Sequence, residues 1–239
     1  TLEWCRELGI HTVTVYAFSI ENFKRSKAEV DGIMDLAHEK LLDLINERES
    51  LEKHEVSVRF LGNLDLLPGR IQELIYKITS MTQHYRRYRL NVCLSYTSQD
   101  EICRSIQTIV DGVKDQKLDV TDISESLITS CLDTGDSSFP DLLIRTSGEY
   151  RLSDFLLWQC SKTCIHFDSV LWPEFGFRHL CYAILRYQCN IVNINELVGG
   201  DEKEVELNER VKLFIEAVHR RRLSSPVDSF QNQNVVVNC

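Results

Sequence analysis

Short β-branched segments alternate with longer amphipathic segments along most of this 239-residue chain. Strand-like segments lie at residues 11–18, 56–61, 89–96, 142–144 and 163–167. The segments between them place apolar residues at intervals of three and four, which is typical of helices. Strands joined by helices pair in parallel, and helices then cover both faces of the sheet. The sequence therefore predicts an α/β fold, a single domain with a mostly parallel central sheet flanked by helices.

The character of the chain changes after Cys189. A linker-like acidic segment, a basic-ended helical pattern and a stretch with the composition of disorder follow one another at residues 199–206, 205–222 and 224–239. We therefore expect a domain over residues 1–189. We expect residues 190–239 to form an irregular C-terminal tail, helical in part and disordered in part.

Charge and motif content argue against several classes of protein. The formal net charge of −9 at pH 7 argues against a nucleic-acid partner, because nucleic-acid phosphates are bound by an excess of Lys and Arg. The nine cysteines include no Cys-x-x-Cys pair, so we expect reduced thiols rather than disulfides or a zinc site. Gly-rich nucleotide-binding loops, a Gly-x-Ser-x-Gly hydrolase elbow and an Asp-Asp-x-x-Asp motif are absent. No apolar run approaches the ~20 residues of a membrane span.

Residues 141–158 carry the strongest functional signal in the chain. A short apolar strand ends at Arg145, a polar turn with a glycine follows, and the chain then becomes apolar again. Ser153 precedes this second apolar segment and is predicted to cap a helix whose first amides point back at the turn. Arg145, Arg151, a hydroxyl and a helix N-terminus would together favour a phosphate group. A structural turn whose arginines pair with the nearby carboxylates of Glu149 and Asp154 explains the same residues equally well.

A second group of polar residues follows the strand-like segment at 11–18. Asn22 and Arg25 lie just beyond its carboxyl end. In an open α/β sheet, ligands bind in the crevice outside the carboxyl ends of the strands. We therefore expect these two residues and Arg145 to converge on one crevice. For this segment alone, a helix-entry turn with a solvated arginine is the simpler interpretation.

Ser26 and Glu29 form a capping box that predicts the start of a long helix. Apolar residues then recur with helical spacing, and a helix reaching about residue 51 would span ~38 Å. Packing against the core is the simplest role for this stripe. A further role, as the wall of a deep apolar cleft, would place Met34 and Ala37 against a substrate.

Three motifs in this order resemble those of the cis-prenyltransferases. They are TVYAFSIENFKR at residues 14–25, DLLIRTSGEYRLS at residues 141–153 and VLWPEF at residues 170–175. The resemblance extends from residue 1 to about residue 189 and is strongest to the eukaryotic branch that makes dehydrodolichyl diphosphate. It implies condensation of isopentenyl diphosphate with a farnesyl-type allylic diphosphate, using Mg²⁺, to give long-chain polyprenyl diphosphates for dolichol synthesis and protein glycosylation.

The resemblance also implies roles for the residues singled out above. It assigns isopentenyl diphosphate binding to Arg145, Arg151 and Ser153, the reaction site to Asn22 and Arg25, and the wall of a chain-elongation tunnel to Met34 and Ala37. These roles follow from matching positions in the family motifs. The spacing of the residues does not establish them.

The chain departs from the family pattern at three points. The motif with the aspartate that anchors Mg²⁺ is expected upstream of Thr1, so no metal ligand is assigned within these residues. Cys164 stands where bacterial members carry a magnesium-binding glutamate. The Arg-x-Gly element that homodimeric members share across their interface is absent.

These departures lead to an expected assembly and to an alternative. The resemblance implies a heteromer in which a Nogo-B receptor-like subunit completes the site and holds the enzyme at the cytoplasmic face of the endoplasmic reticulum membrane. We expect the 239-residue chain alone to be inactive. The alternative is a non-catalytic accessory or scaffold subunit of the same complex, and a phosphate-binding module of unrelated function would require the three motifs to occur by chance.

Overall fold

Five parallel strands and eight α-helices make up the part of the chain that the computed structural model describes, residues 1–198 and 207–223. The strands are β1 (Thr12–Tyr16), β2 (Val56–Leu61), β3 (Tyr88–Cys93), β4 (Leu142–Arg145) and β5 (Cys164–Phe167). The helices are α1 (Leu2–Glu7), α2 (Lys27–Asn46), α3 (Arg48–His54), α4 (Gly69–Thr82), α5 (Ser98–Lys114), α6 (Glu125–Ser130), α7 (Phe177–Val198) and α8 (Glu209–Leu223). The predicted α/β class with parallel strands is confirmed.

The strands form two sheets. In the larger sheet β3 lies between β1 and β2, with Thr12 opposite Arg89 in one pair and Val56 opposite Tyr88 in the other. In the smaller sheet β4 pairs with β5. A buried cluster that includes residues of β2, β3 and β4 joins the two sheets, so the carboxyl ends of β1 and β4 lie near one another.

One face of the larger sheet packs against α2 and α4 through apolar, mainly aliphatic side chains. Alternate residues of a strand point to the same face, and here these are Val13, Val15, Val58, Phe60, Leu90 and Val92. Met34 and Leu41 of α2 and Ile71 and Ile78 of α4 pack against them. Ile71 and Ile78 are completely buried, and each such side chain contributes about 1.5–3 kcal/mol through the hydrophobic effect.

The opposite face of the same sheet is polar at its centre. Asn91 Nδ2 donates to Thr14 Oγ1 at 3.1 Å, and the guanidinium groups of Arg59 and Arg89 both contact the carboxylate of Asp136. Burial raises the pKa of Asp136, but the charge and hydrogen bond of Arg59, together with the charges of Arg89 and His219, hold it below its ordinary value. The segment between α6 and β4 therefore covers this face through ion pairs.

The long helix predicted from Ser26 to about residue 51 is divided in two. Ser26 Oγ accepts from the Glu29 amide at 3.4 Å and the Glu29 carboxylate accepts from the Ser26 amide at 3.2 Å, so the predicted capping box is confirmed. The chain turns at Glu47, where α2 ends and α3 begins. Residues 47–50 are polar or charged and offer nothing to pack on the core, whereas the turn lets Leu51 become buried.

Helix α8 packs on the body of the domain, a contact that the predicted tail did not include. Phe214 and Val211 lie in a buried cluster with residues of α5 and α6. A methyl group at Gly112 would come within 2.5 Å of the Phe214 ring, so the close approach of α5 and α8 requires glycine there. Arg210 adds ion pairs of 2.8 Å to Asp122 and Asp119.

Other predicted boundaries shift by a few residues. The boundary expected after Cys189 falls inside α7. Between α5 and β4 a 3-10 turn over Val120–Asp122 precedes α6, which Ser124 caps. The linker and the disordered end expected at residues 199–206 and 224–239 lie outside the described residues. No helix in the described ranges is long and apolar enough to cross a membrane.

Candidate active site

The chain from Arg145, the last residue of β4, to the end of the 3-10 helix before β5, residues 145–162, forms a compact loop that we call the β4 elbow. Arg145 is the last residue of β4, and its carbonyl accepts from the Asp168 amide at 2.8 Å. Ser147 and Gly148 then turn with φ values of 70° and 67°. Their amides donate to the carbonyls of Val170 and Asp168 at 2.7 and 2.9 Å. The start of the elbow is thereby fixed to the segment after β5.

Two of the three residues predicted to bind isopentenyl diphosphate meet in the elbow. Arg145 Nη2 donates to Ser153 Oγ at 3.4 Å, which is a long hydrogen bond. Arg151 instead contacts the Glu149 carboxylate, and its side chain is 67% exposed. Such an exposed ion pair is worth at most about 1 kcal/mol. An incoming diphosphate can therefore compete with Glu149 for Arg151.

The helix predicted to begin at Ser153 does not form, and that prediction is wrong. Ser153, Asp154 and Leu156 have φ values of 50°, 59° and 48°, a left-handed conformation that residues other than glycine rarely adopt. The next helical turn is a 3-10 helix over Gln159–Lys162. A non-glycine residue in the left-handed conformation destabilises the fold by about 1–3 kcal/mol. It persists only where its surroundings hold it, often at a functional site.

The first turn of α5 supplies these surroundings. The Ser98 amide donates to the Asp154 carbonyl at 2.8 Å and the Gln99 amide donates to Asp154 Oδ1 at 3.1 Å. Ser98 Oγ accepts from the Leu157 amide at 3.0 Å. The amides at the start of α5, which have no partner within their own helix, thus bind the elbow. A sequence pattern at residues 141–158 cannot reveal this, because the partners are 55 or more residues away.

An aromatic floor joins the elbow to the end of β1. The ring of Tyr16 stacks on Phe155 with centroids 4.5 Å apart, and its hydroxyl donates to the Tyr96 carbonyl at 2.9 Å. The pKa of Tyr16 is raised, mainly by burial, although a hydrogen bond with Ser19 lowers it. The charge of Asp154 raises this pKa further, and the charge of Arg145 lowers it to a smaller extent. The predicted site residues did not include these aromatics, although an aromatic residue at the carboxyl end of a strand was a visible signal.

Asn22 and Arg25 lie on the segment that continues from β1. Asn22 belongs to a 3-10 helix over Ile20–Lys24, and its Oδ1 accepts from the Ser19 amide at 2.9 Å. Ser19 pairs with Tyr96 in an isolated bridge, which connects this segment to the aromatic floor. Arg25 is exposed at the end of the 3-10 helix. Hydrogen bonds with Ser26 are the main cause of a lowered pKa at Glu29, and the charge of Arg25 adds to it.

Met34 and Ala37 lie in the apolar cluster between α2, α4 and the larger sheet. Met34 is 3% exposed and Ala37 is partly buried. A cavity of about 710 Å³ lies elsewhere, between the end of β2, α4, α5 and α8, and its lining includes Ile75, Arg104 and Phe214. No residue of α2 lines this cavity. The role of Met34 and Ala37 in a tunnel stays a prediction.

Metal-ligating side chains are not clustered within the described residues. Within residues 1–198 and 207–223 there is no group of three or more His, Cys, Asp or Glu side chains that could hold a metal ion. The carboxylates of the elbow region have other partners, since Asp154 accepts from Gln99 and Asp168 Oδ1 accepts from the Val170 amide at 3.0 Å. Cys164 is a free thiol on β5. No chemical step is therefore assigned to a metal bound by these residues.

Comparison with known proteins agrees with this architecture. The family model described as "Putative undecaprenyl diphosphate synthase" matches residues 1–193. The chain is 49% identical over 232 residues to the human dehydrodolichyl diphosphate synthase complex subunit DHDDS, covering 96% of this chain and 70% of the human protein. It is 39% identical over 189 residues to the tritrans,polycis-undecaprenyl-diphosphate synthase (geranylgeranyl-diphosphate specific) of Methanocaldococcus jannaschii, covering 78% of this chain and 67% of that protein.

A solved structure extends the similarity to three dimensions. The crystal structure of lavandulyl diphosphate synthase from Lavandula x intermedia, in complex with dimethylallyl diphosphate, matches with a TM-score of 0.73 at 31% identity. The match covers 79% of this chain and 80% of that one. Sequence, parallel sheets and flanking helices thus agree, and the chain belongs to the cis-prenyltransferase family, which includes the undecaprenyl diphosphate synthases.

Proposed function

We propose that this protein is a catalytic subunit that elongates polyprenyl chains in the cis configuration, condensing isopentenyl diphosphate with an allylic diphosphate. Its product would be a long-chain polyprenyl diphosphate, dehydrodolichyl diphosphate, used for dolichol synthesis and protein glycosylation. One observation carries the proposal. Phe155, in the same elbow as Arg145 and Ser153, stacks on Tyr16 at the end of β1, and the chain continues from Tyr16 to Asn22. The 49% identity to the human dehydrodolichyl diphosphate synthase subunit supports the choice of product.

The elbow suits the diphosphate of isopentenyl diphosphate. Arg145 offers a planar guanidinium group with several donors, and this group already donates to the hydroxyl of Ser153. The guanidinium group of Arg151 becomes a second donor group once the diphosphate replaces the Glu149 carboxylate as its partner. Hydrogen bonds to charged groups are worth about 1.5–3 kcal/mol each, more than the exposed Arg151 pair that would be broken.

The reaction itself separates charge at the neighbouring site. The allylic carbon–oxygen bond breaks, the diphosphate leaves with the electron pair, and a new carbon–carbon bond to isopentenyl diphosphate forms with loss of a proton. Donors fixed near the leaving oxygen lower this barrier electrostatically. Asn22, held by Ser19, and the exposed Arg25 are our candidates for this role. The stacked rings of Tyr16 and Phe155 offer an apolar surface to the prenyl chain.

In this proposal Mg²⁺ is bound mainly by the diphosphate groups of the substrates. Magnesium commonly binds substrate phosphates with only one or two protein carboxylates. We propose that Mg²⁺ accompanies the diphosphates and partly neutralises their charge. The steps above use only side chains of this chain.

We propose further that the working enzyme is a heteromer with a Nogo-B receptor-like subunit. The human relative is named as a subunit of the dehydrodolichyl diphosphate synthase complex. The surface around β5 and α7 exposes large apolar side chains, namely Ile165, Leu171, Trp172, Phe177, Tyr182 and Leu185. An apolar patch of this kind on a folded domain is typical of a protein–protein interface. A membrane-anchored partner bound there would hold the enzyme at the cytoplasmic face of the endoplasmic reticulum.

Turnover of the purified complex tests the proposal. The protein is expressed with and without the partner and supplied with farnesyl diphosphate, radiolabelled isopentenyl diphosphate and Mg²⁺. We expect long polyprenyl diphosphates from the complex. The Arg145→Ala complex distinguishes a catalytic subunit from a non-catalytic accessory subunit. Turnover that does not depend on Arg145 would place the chemistry in the partner.

A further inference from the structure

Side chains in the last turns of α8 form hydrogen bonds with backbone carbonyls at and just beyond the C-terminal end of α6. Arg222 Nη1 and Nη2 donate to the carbonyls of Leu132 and Cys131, both at 2.5 Å. His219 Nε2 lies 2.9 Å from the carbonyl of Ser130, the last residue of α6. Carbonyls at a helix C-terminus lack partners within the helix and favour a cation. Arg222 therefore serves as a distant cap for α6.

Arg222 also approaches a carboxylate that is itself buried. Its guanidinium lies 3.6 Å from Asp133, whose side chain is 7% exposed. Arg104 binds the two oxygens of Asp133 at 3.0 and 2.7 Å, and the Gly62 amide donates to Oδ2 at 3.0 Å. The backbone amide of Asp133 donates to Glu101 Oε1 at 2.8 Å. Asp133, three residues beyond the end of α6, is thus held from α8, from α5 and from Gly62 at the end of β2.

Glu101 carries this network to the elbow. It is completely buried, and Oε2 accepts from the Tyr96 hydroxyl at 2.6 Å and from Gln159 Nε2 at 2.9 Å. Gln159 begins the 3-10 helix that ends the elbow, and the Tyr96 ring lies edge-on to Phe155 at 6.0 Å. A buried carboxylate is stable only when its donors are in place. The position of Asp133 therefore influences the contact of Glu101 with Gln159 and its contact with Tyr96, the ring that lies against Phe155 of the elbow.

We propose that Arg222 is a positioning residue for the isopentenyl diphosphate site, acting through Asp133, Glu101 and Gln159 to hold the β4 elbow in its strained conformation. This inference rests on the proposed function of the elbow. Helix α8 lies beyond residue 193, where the family model ends. The similarity to the human subunit covers 96% of the chain and therefore includes α8. The contact thus lies outside the residues that the family model matches.

Hydrogen exchange tests the structural part without any ligand. In Arg222→Met the guanidinium is lost while an apolar stem is kept, and we expect faster amide exchange at Leu157, which Ser98 binds. Arg220→Met is the matched control, because Arg220 is an exposed residue of the same helix turn. Unchanged exchange at Leu157 in Arg222→Met would overturn the inference whatever the elbow binds.

Titration of isopentenyl diphosphate into the complete protein with its partner tests the functional part. Arg222→Met should weaken binding about three- to tenfold, in the lower part of the range for residues coupled through one network. Arg222→Lys should fall between Arg222→Met and wild type, and affinity for farnesyl diphosphate should not change. Equal loss for both substrates, or loss in Arg220→Met as well, would mean that α8 only stabilises the fold and would overturn the inference.

A second variant keeps the inference testable if Arg222→Met does not fold. Gln159→Leu breaks the contact between Glu101 and the elbow without touching α8, and it should weaken isopentenyl diphosphate binding to a similar extent. Normal binding in Gln159→Leu would overturn the inference. Wild-type protein that binds no isopentenyl diphosphate while Leu157 exchange still responds to Arg222→Met would refute the proposed function and leave the α8 contact standing.

Discussion

Between the larger sheet and helices α2 and α4 the interior is aliphatic, whereas between α5, α8 and the β4 elbow it contains hydrogen-bonded charges. In the first region Ile71 and Ile78 are completely buried. In the second, Glu101 is completely buried and Asp133 nearly so. Aliphatic packing is non-directional and tolerates small shifts, while a buried carboxylate depends on donors at fixed positions. The polar region is therefore the one suited to hold a strained binding segment.

Replacing Glu101 with Leu should have the largest effect on stability. The substitution leaves the Tyr96 hydroxyl, the Gln159 amide and the Asp133 backbone amide without their buried acceptor. We expect the free energy of unfolding to fall by at least about 3 kcal/mol, measured by urea denaturation. The exposed Glu73→Leu is the control, expected to stay within about 0.5 kcal/mol. A Glu101→Leu protein as stable as wild type would remove the contrast between the two regions.

Ile71→Ala tests the aliphatic region. The loss of a completely buried side chain should lower the free energy of unfolding by about 2–5 kcal/mol. The Michaelis constant for isopentenyl diphosphate should stay unchanged, because Ile71 packs in the cluster between α2, α4 and the larger sheet. Leu36, which is 54% exposed on α2, gives the matched control Leu36→Ala. A raised Michaelis constant in Ile71→Ala would show that the two regions are coupled.

Ala37→Trp asks whether α2 also forms the wall of a tunnel. A larger side chain in a filled core costs about 1–3 kcal/mol, and in a tunnel it also blocks further isoprene units. We expect shorter polyprenyl products, measured by thin-layer chromatography of the labelled chains. Products of unchanged length together with reduced stability would show that Ala37 belongs to the core alone.

Glu149→Gln should have the smallest effect and the opposite sign. It removes the carboxylate that competes for Arg151, and an exposed ion pair is worth at most about 1 kcal/mol. The Michaelis constant for isopentenyl diphosphate should fall by up to about fivefold, since 1.4 kcal/mol corresponds to tenfold. A higher Michaelis constant would mean that Glu149 helps to place Arg151.

Local patterns in the sequence predicted what short-range contacts decide. The Ser26 capping box, the five strands and the parallel α/β class follow from periodicity and caps, which act within a few residues. The break at Glu47 was missed because the polar residues after it resemble a solvated helical face. Element type was therefore predictable where one stripe of apolar residues sets it.

Long-range partners decided the rest. The helix predicted at Ser153 fails because Asp154 and Leu157 find their partners on α5. The docking of α8 depends on Gly112 making room for Phe214, and a lone glycine in a helix gives no such signal. Glu101 looks like any charged helical residue, yet it is the centre of the polar interior. The site residues were predicted through family motifs, and their supports were not.

Binding and turnover in an Arg145→Ala complex test the central claim, that the β4 elbow binds isopentenyl diphosphate for chain elongation. With saturating farnesyl diphosphate, loss of a charged hydrogen-bond donor worth about 1.5–3 kcal/mol should raise the Michaelis constant for isopentenyl diphosphate at least about tenfold. The free energy of unfolding should change little, because the hydrogen bond of the Arg145 side chain to Ser153 within the described part of the chain is long, at 3.4 Å. Wild-type kinetics in the folded Arg145→Ala complex would contradict the account.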